Sequence, residues 1–162
     1  MTATMTADEC IVLFAMEIGA VSPVTQERIF RWIESLTSGF DVPLYAVQLG
    51  EANAGDIETL LARCSKETRR TRLLVGGSHL ETAITFVSLE ALLQGCDVYL
   101  LADVITVSAP RYELLHWQRL CQAGVVPTTL SQIIEEWGVS SVDDETTRKL
   151  RQLAKEFREL IS

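Results

Sequence analysis

Residues 75–103, VGGSHLETAITFVSLEALLQGCDVYLLAD, decide the fold. The strand Arg72–Val75 (RLLV) runs into Gly76-Gly77. An apolar-rich helix over 80–94 follows and is closed by Gly95, in the position where a left-handed residue ends a helix. Asp97–Ala102 (DVYLLA) is the next strand. Its apolar residues are nearly continuous rather than alternating, as expected of a strand covered on both faces. Strand, helix and strand in immediate succession describe a right-handed crossover between parallel neighbours.

The same alternation extends outward. On the amino side Cys10–Ala15 (CIVLFA) reads as a first buried strand. A helix over 24–38 carries Ile29, Trp32, Ile33 and Leu36 on one face and stops at Gly39, and Pro43–Val47 is a second strand. Gly55 and Asp56 supply a loop and a cap for the helical run IETLLARC. On the carboxyl side a helix over 110–123 is closed by Gly124, and Val125-Val126 is a short fifth strand. Thr129 or Ser131 caps a helix carrying Ile133, Ile134 and Trp137. An amphipathic helix over 143–161 lines up Leu150, Leu153, Ala154, Phe157 and Ile161. These elements imply an α/β class: a three-layer, doubly wound, Rossmann-like domain. Its mostly parallel sheet of five to six strands has helices on both faces. One domain over residues 1–162 is expected, with 1–9 as a flexible tail.

Composition narrows the function. With 48% hydrophobic and 22% charged residues the chain buries a core and is not disordered. A net charge of −8 argues against nucleic acid or an anionic membrane as partner, since both ask for basic patches. The basic run Lys66, Arg69, Arg70, Arg72 contains Glu67 and reads as a solvated helix end. No signal peptide and no apolar run of spanning length is visible, so a cytoplasmic protein is expected. Cys10, Cys64, Cys96 and Cys121 lack metal-binding spacing and read as reduced, buried small hydrophobes. With only His79 and His116 present, no metal and no cofactor is expected.

In a doubly wound sheet the ligand crevice lies outside the carboxyl ends of the strands. That rule selects Glu17, Gln48 and Glu51, the run Gly77, Ser78, His79, Glu81, Thr82 and Ala83, and then Asp103, Thr106 and Thr128. The Gly76-Gly77-Ser78 turn before a helix offers backbone N–H groups to an anion. Glu17, His79, Glu81 and Asp103 are the candidates for acid–base work. The plainer reading makes Asp103 a cap or loop anchor and His79 a solvated turn residue.

Residues 73–137 resemble the isochorismatase-like cysteine hydrolases, which include nicotinamidases and N-carbamoylsarcosine amidases. The family segment runs strand, Gly, two residues, Thr, two residues, Cys, then a helix closed by Gly. A strand ending in Asp follows, then an Ala-Gly pair before a short strand and Thr-Thr. The counterparts are LLVGG, Gly77 to Ala83, Gly95, VYLLAD ending at Asp103, Ala123-Gly124 and Thr128-Thr129. The register places Ala83 where the family has its nucleophilic cysteine. More loosely, IVLFAME resembles the first strand, with Ala15 on the catalytic aspartate and Glu17 on a glutamine. The family's lid, third strand and catalytic lysine have no counterpart: GEANAGDIETLL follows the second strand at once, and no lysine precedes Lys66. The resemblance also implies a non-proline cis peptide at Ser78-His79.

The family reaction needs a thiolate nucleophile, an aspartate to carry its proton, a lysine that favours the charged forms, and backbone N–H donors for the oxyanion. A methyl group at position 83 attacks nothing. The reading that follows is an isochorismatase-like protein without hydrolase activity, acting by ligand binding or assembly. The resemblance implies a homo-oligomer, a dimer or larger, and a small-molecule ligand is the other expected partner. Loss of the third strand would also bare the second as a sheet edge that needs covering. Two alternatives stand beside this one. One is an active hydrolase of small amides or esters with a cysteine-independent site using Glu17 or Asp103. The other is a flavodoxin-like small-molecule binding module, because removing the third strand leaves the order 2-1-3-4-5.

Overall fold

Along the first strand, β1 (Cys10–Glu17), consecutive side chains enter two different cores. Cys10, Val12 and Phe14 point into one, and Ile11, Leu13 and Ala15 into the other. That is the period-2 geometry of a strand buried on both faces. The computed structural model describes residues 5–17, 24–49, 57–63 and 70–162, without the side chains of Glu17, Val24, Thr25 and Leu49.

The other strands are β2 (Leu44–Leu49), β3 (Arg72–Gly77), β4 (Asp97–Ile105) and β5 (Val126–Thr128). They form a five-stranded sheet in the order β2-β1-β3-β4-β5. Every pairing is parallel. Helices α1 (Val24–Gly39), α5 (Leu130–Ser140) and α6 (Asp144–Ile161) cover the face that holds Phe14. The helical residues 57–63 (α2), α3 (Thr85–Leu93) and α4 (Glu113–Ala123) cover the face that holds Ala15. The three layers and the strand order are those expected from the sequence.

Several boundaries differ from expectation. The helix after β3 begins as a π-helical turn, Leu80–Ile84, before α3 proper. β4 does not stop at Ala102. From Val75 to Gly77 β3 advances two residues, while from Leu100 to Ile105 β4 advances five, so β4 bulges around Asp103. The fifth strand is Val126–Thr128 rather than Val125-Val126, because Val125 turns inward into the core as Gly124 (φ 115°) closes α4. Residues 5–9 do not form a tail. Met5 is buried, its N–H donates to Glu136 Oε2 (3.2 Å), and its carbonyl accepts from Ser140 Oγ (3.3 Å). Among the described residues no helix is long and apolar enough to cross a membrane.

Candidate functional site

The glycine pair that ends β3 sets the geometry at the carboxyl end of the sheet. A Cβ on Gly77, whose φ is +127°, would stand 1.8 Å from the Ala15 carbonyl oxygen. Only glycine lets the chain pass so close to β1 and turn. The Ala15 carbonyl then accepts the Ser78 N–H at 2.9 Å. The Ser78-His79 peptide is cis, as the resemblance implied.

The segment leaving β4 clamps this turn. Thr106 N–H donates to the Gly77 carbonyl (3.0 Å), and the Thr106 carbonyl accepts Leu80 N–H (2.9 Å). Thr106 Oγ1 lies 3.3 Å from His79 Nδ1. Glu81 Oε1 accepts from Ser108 N–H and Oγ–H and from Ala109 N–H (3.2 Å), while Oε2 is buried without a partner among the described residues. Partial burial pushes the Glu81 carboxyl up, but the bonds from Ser108 and Ala109 outweigh it and hold the group below its ordinary value. Glu81 is therefore an ionised anchor of residues 108–109 rather than an acid with a proton to give. Sequence reasoning named Thr106 as a strand-end residue but missed Ser108 and Ala109, which carry no motif of their own.

Ser78, His79 and Glu81 thus share one end of the sheet with Thr106, while Thr82 is exposed beside them. Ala83 is 3% exposed and Ala15 0% exposed, and both belong to one apolar cluster with Leu80, Ile84, Ile57 and Leu61. Backbone N–H groups of Thr82 (3.2 Å) and Ile84 (3.0 Å) donate to the His79 carbonyl, so these two amides are satisfied within the protein.

Two expected crevice residues lie elsewhere. Gln48 pairs in register with Met16 and lines a cavity with Phe14 and Phe30, on the opposite face of the sheet from Ala15 and Ala83. Asp103 sits in the β4 bulge and faces α5. Its Oδ1 accepts Leu130 N–H (2.7 Å), and its Oδ2 accepts Ser131 N–H and Oγ–H (both 3.2 Å). Thr129 adds its own cap, accepting Gln132 N–H at 3.1 Å. Glu17 ends β1, but its side chain, like Glu51 and Lys66, lies outside the described residues. Among the described residues no group of histidine, cysteine, aspartate and glutamate is placed to hold a metal ion. Cys10 and Cys96 both stand at amino ends of strands, away from this turn, and burial raises the thiol pKa of each.

No protein-family model matches the chain, and no curated protein matches it by sequence. Solved structures do. The YcaC gene product of Escherichia coli, described as an octameric hydrolase of unknown specificity, superposes with a TM-score of 0.73 at 18% identity. That match covers 99% of this chain and 95% of that one. YcaC from Pseudomonas aeruginosa, solved with hexane-2,5-diol and covalent acrylamide, gives a TM-score of 0.71 at 18% identity over 98% of each chain. The MAR1 ribonuclease of Caenorhabditis elegans gives 0.70 at 13% identity, covering 93% of this chain and 92% of that one. Theirs is the fold of this chain.

Proposed function

We propose that this protein is an isochorismatase-like protein that has given up hydrolysis and works by binding or assembly. One observation carries the reading. Ala15 and Ala83, at the two positions that the resemblance assigns to the base and the nucleophile, are both buried with leucines and isoleucines in one apolar cluster. Acyl transfer needs a nucleophile, a proton carrier and water access together. A pair of methyl groups in a packed core supplies none of these. Of the two residues a cysteine-independent hydrolase would use, Asp103 is taken up by the amino terminus of α5, and the side chain of Glu17 lies outside the described residues.

Assembly is supported by exposed apolar side chains on the helices flanking this end of the sheet. α3 packs against α4. Phe86 stands exposed on α3, and Tyr112, Leu114 (71% exposed) and Leu115 (60%) stand exposed at the start of α4. Large apolar side chains grouped on two packed helices support a contact surface there. The similar E. coli protein is octameric by its description.

The experiment is acyl trapping. Wild-type protein is exposed to p-nitrophenyl acetate, quenched in acid and mapped by peptide mass spectrometry. The reading expects no acetyl group within residues 77–85. An acetyl group on Ser78, His79 or Thr82 that forms and turns over would overturn it.

A further inference from the structure

The cavity that Gln48 lines lies on the opposite face of the sheet from Ala15 and Ala83. It opens between the edge strand β2 and α1, and its volume is about 360 Å³. That is within the range of small-molecule sites, roughly 300–1,000 Å³. Its apolar walls are Phe14, Phe30, Met16 and Ala46, with the two phenyl rings 5.3 Å apart and tilted at 51°. Into these walls comes a carboxamide. Gln26 is 4% exposed, and its Nε2 has no hydrogen-bond partner among the described residues. Burying an amide donor without an acceptor is costly, and native structures do so where something else completes it. Glu27, Arg31 and Glu34 line the cavity with exposed side chains and form its rim, and Gln48 adds an exposed amide from β2. Two carboxylates against one guanidinium disfavour an anionic guest.

We infer that this cavity binds a small, neutral, flat molecule whose apolar ring packs on Phe14 and Phe30 and whose carbonyl oxygen accepts from Gln26. The site is separate from Ala15 and Ala83, so it stands whether or not that side of the sheet turns over any substrate.

The test uses two probes, benzamide and toluene, which share the ring but differ in the acceptor. Wild-type protein is titrated with each up to its solubility, or to ~20 mM for benzamide, a range suited to the weak affinities of such small ligands. Binding is followed by ¹H–¹⁵N NMR. Expected are saturable benzamide shifts of the Gln26 side-chain amide and of the Phe14 and Phe30 backbone amides, with toluene about tenfold weaker. Gln26→Leu keeps the volume and should weaken benzamide about tenfold while leaving toluene unchanged. Ala46→Phe, on the exposed edge strand, should fill the cavity and abolish both. The inference is overturned if benzamide gives no saturable shift at Gln26, Phe14 and Phe30. It is equally overturned if benzamide binds wild type and Gln26→Leu alike, or if Ala46→Phe leaves binding intact.

Discussion

At the scale of single residues, Gly77 and Cys10 give the clearest consequences. The 1.8 Å approach between the Ala15 oxygen and any Cβ at position 77 cannot be relieved by a side-chain rotation, because the obstacle is backbone. Gly77→Ala should therefore destabilise the fold by about 3 kcal/mol or more, read as a shift in the urea midpoint. Burial pushes the Cys10 thiol up to about 12, whereas in the unfolded chain it ionises near its ordinary 9.0. Between those values the unfolded state has lost a proton that the folded state keeps. Stability is fully present below pH 9 and falls as pH rises towards 12, with a slope approaching ~1.4 kcal/mol per pH unit. Cys10→Ala should remove that part of the fall, measured as the difference between the two proteins' unfolding free energies from pH 8 to 11. The resemblance assigns positions 15 and 83 from the sequence, the second through a spacing from position 83 to Gly95 that fits without a gap, and the structure adds that both side chains are buried. The face that Gln48 serves was not legible in the sequence. Strand parity sends alternate residues to opposite faces, so being placed at the end of a strand does not say which face a side chain serves.

At the scale of elements, the β4 bulge turns a residue expected in a crevice into a helix cap. Asp103 receives three hydrogen bonds from Leu130 and Ser131, and its carboxylate stands where the dipole of α5 favours negative charge. Asp103→Ala strips that cap and should cost about 2 kcal/mol. Hydrogen exchange should speed up in the first turn of α5 before it does in α3. Equal exchange in the two helices would contradict the assignment. The capping chemistry was legible as the plainer of two readings. The bulge that delivers it was not, because Asp103 breaks the apolar run and reads as the end of the strand, whereas pairing with β3 resumes at Ile105. The π-helical start of α3 likewise carries no residue that marks it, and its first residue, Leu80, donates its N–H to the Thr106 carbonyl. Helix ends closed by glycine were read correctly at Gly124, where φ is 115°.

At the scale of the whole molecule, strand order and layering followed from alternating apolar runs, because a parallel sheet covered on both faces leaves few other arrangements. What composition could not convey is which outer surfaces stay bare. If the protein assembles as proposed, through the apolar side chains at the start of α4, replacing Leu114 and Leu115 together by glutamate should lower the sedimentation coefficient without lowering the melting temperature. A wild-type protein that sediments as a monomer at tens of micromolar would contradict the assembly reading. The account as a whole turns on the empty chemistry at positions 15 and 83. The measurement that tests it most directly is a hydrolysis screen of the purified wild-type protein on small amides and esters, nicotinamide and isochorismate among them. The Ala83→Cys variant is run alongside. The account predicts product release at the buffer rate for both proteins, since a thiol alone lacks the proton carrier that Ala15 does not provide. Turnover by the wild type that persists after its thiols are blocked would contradict it.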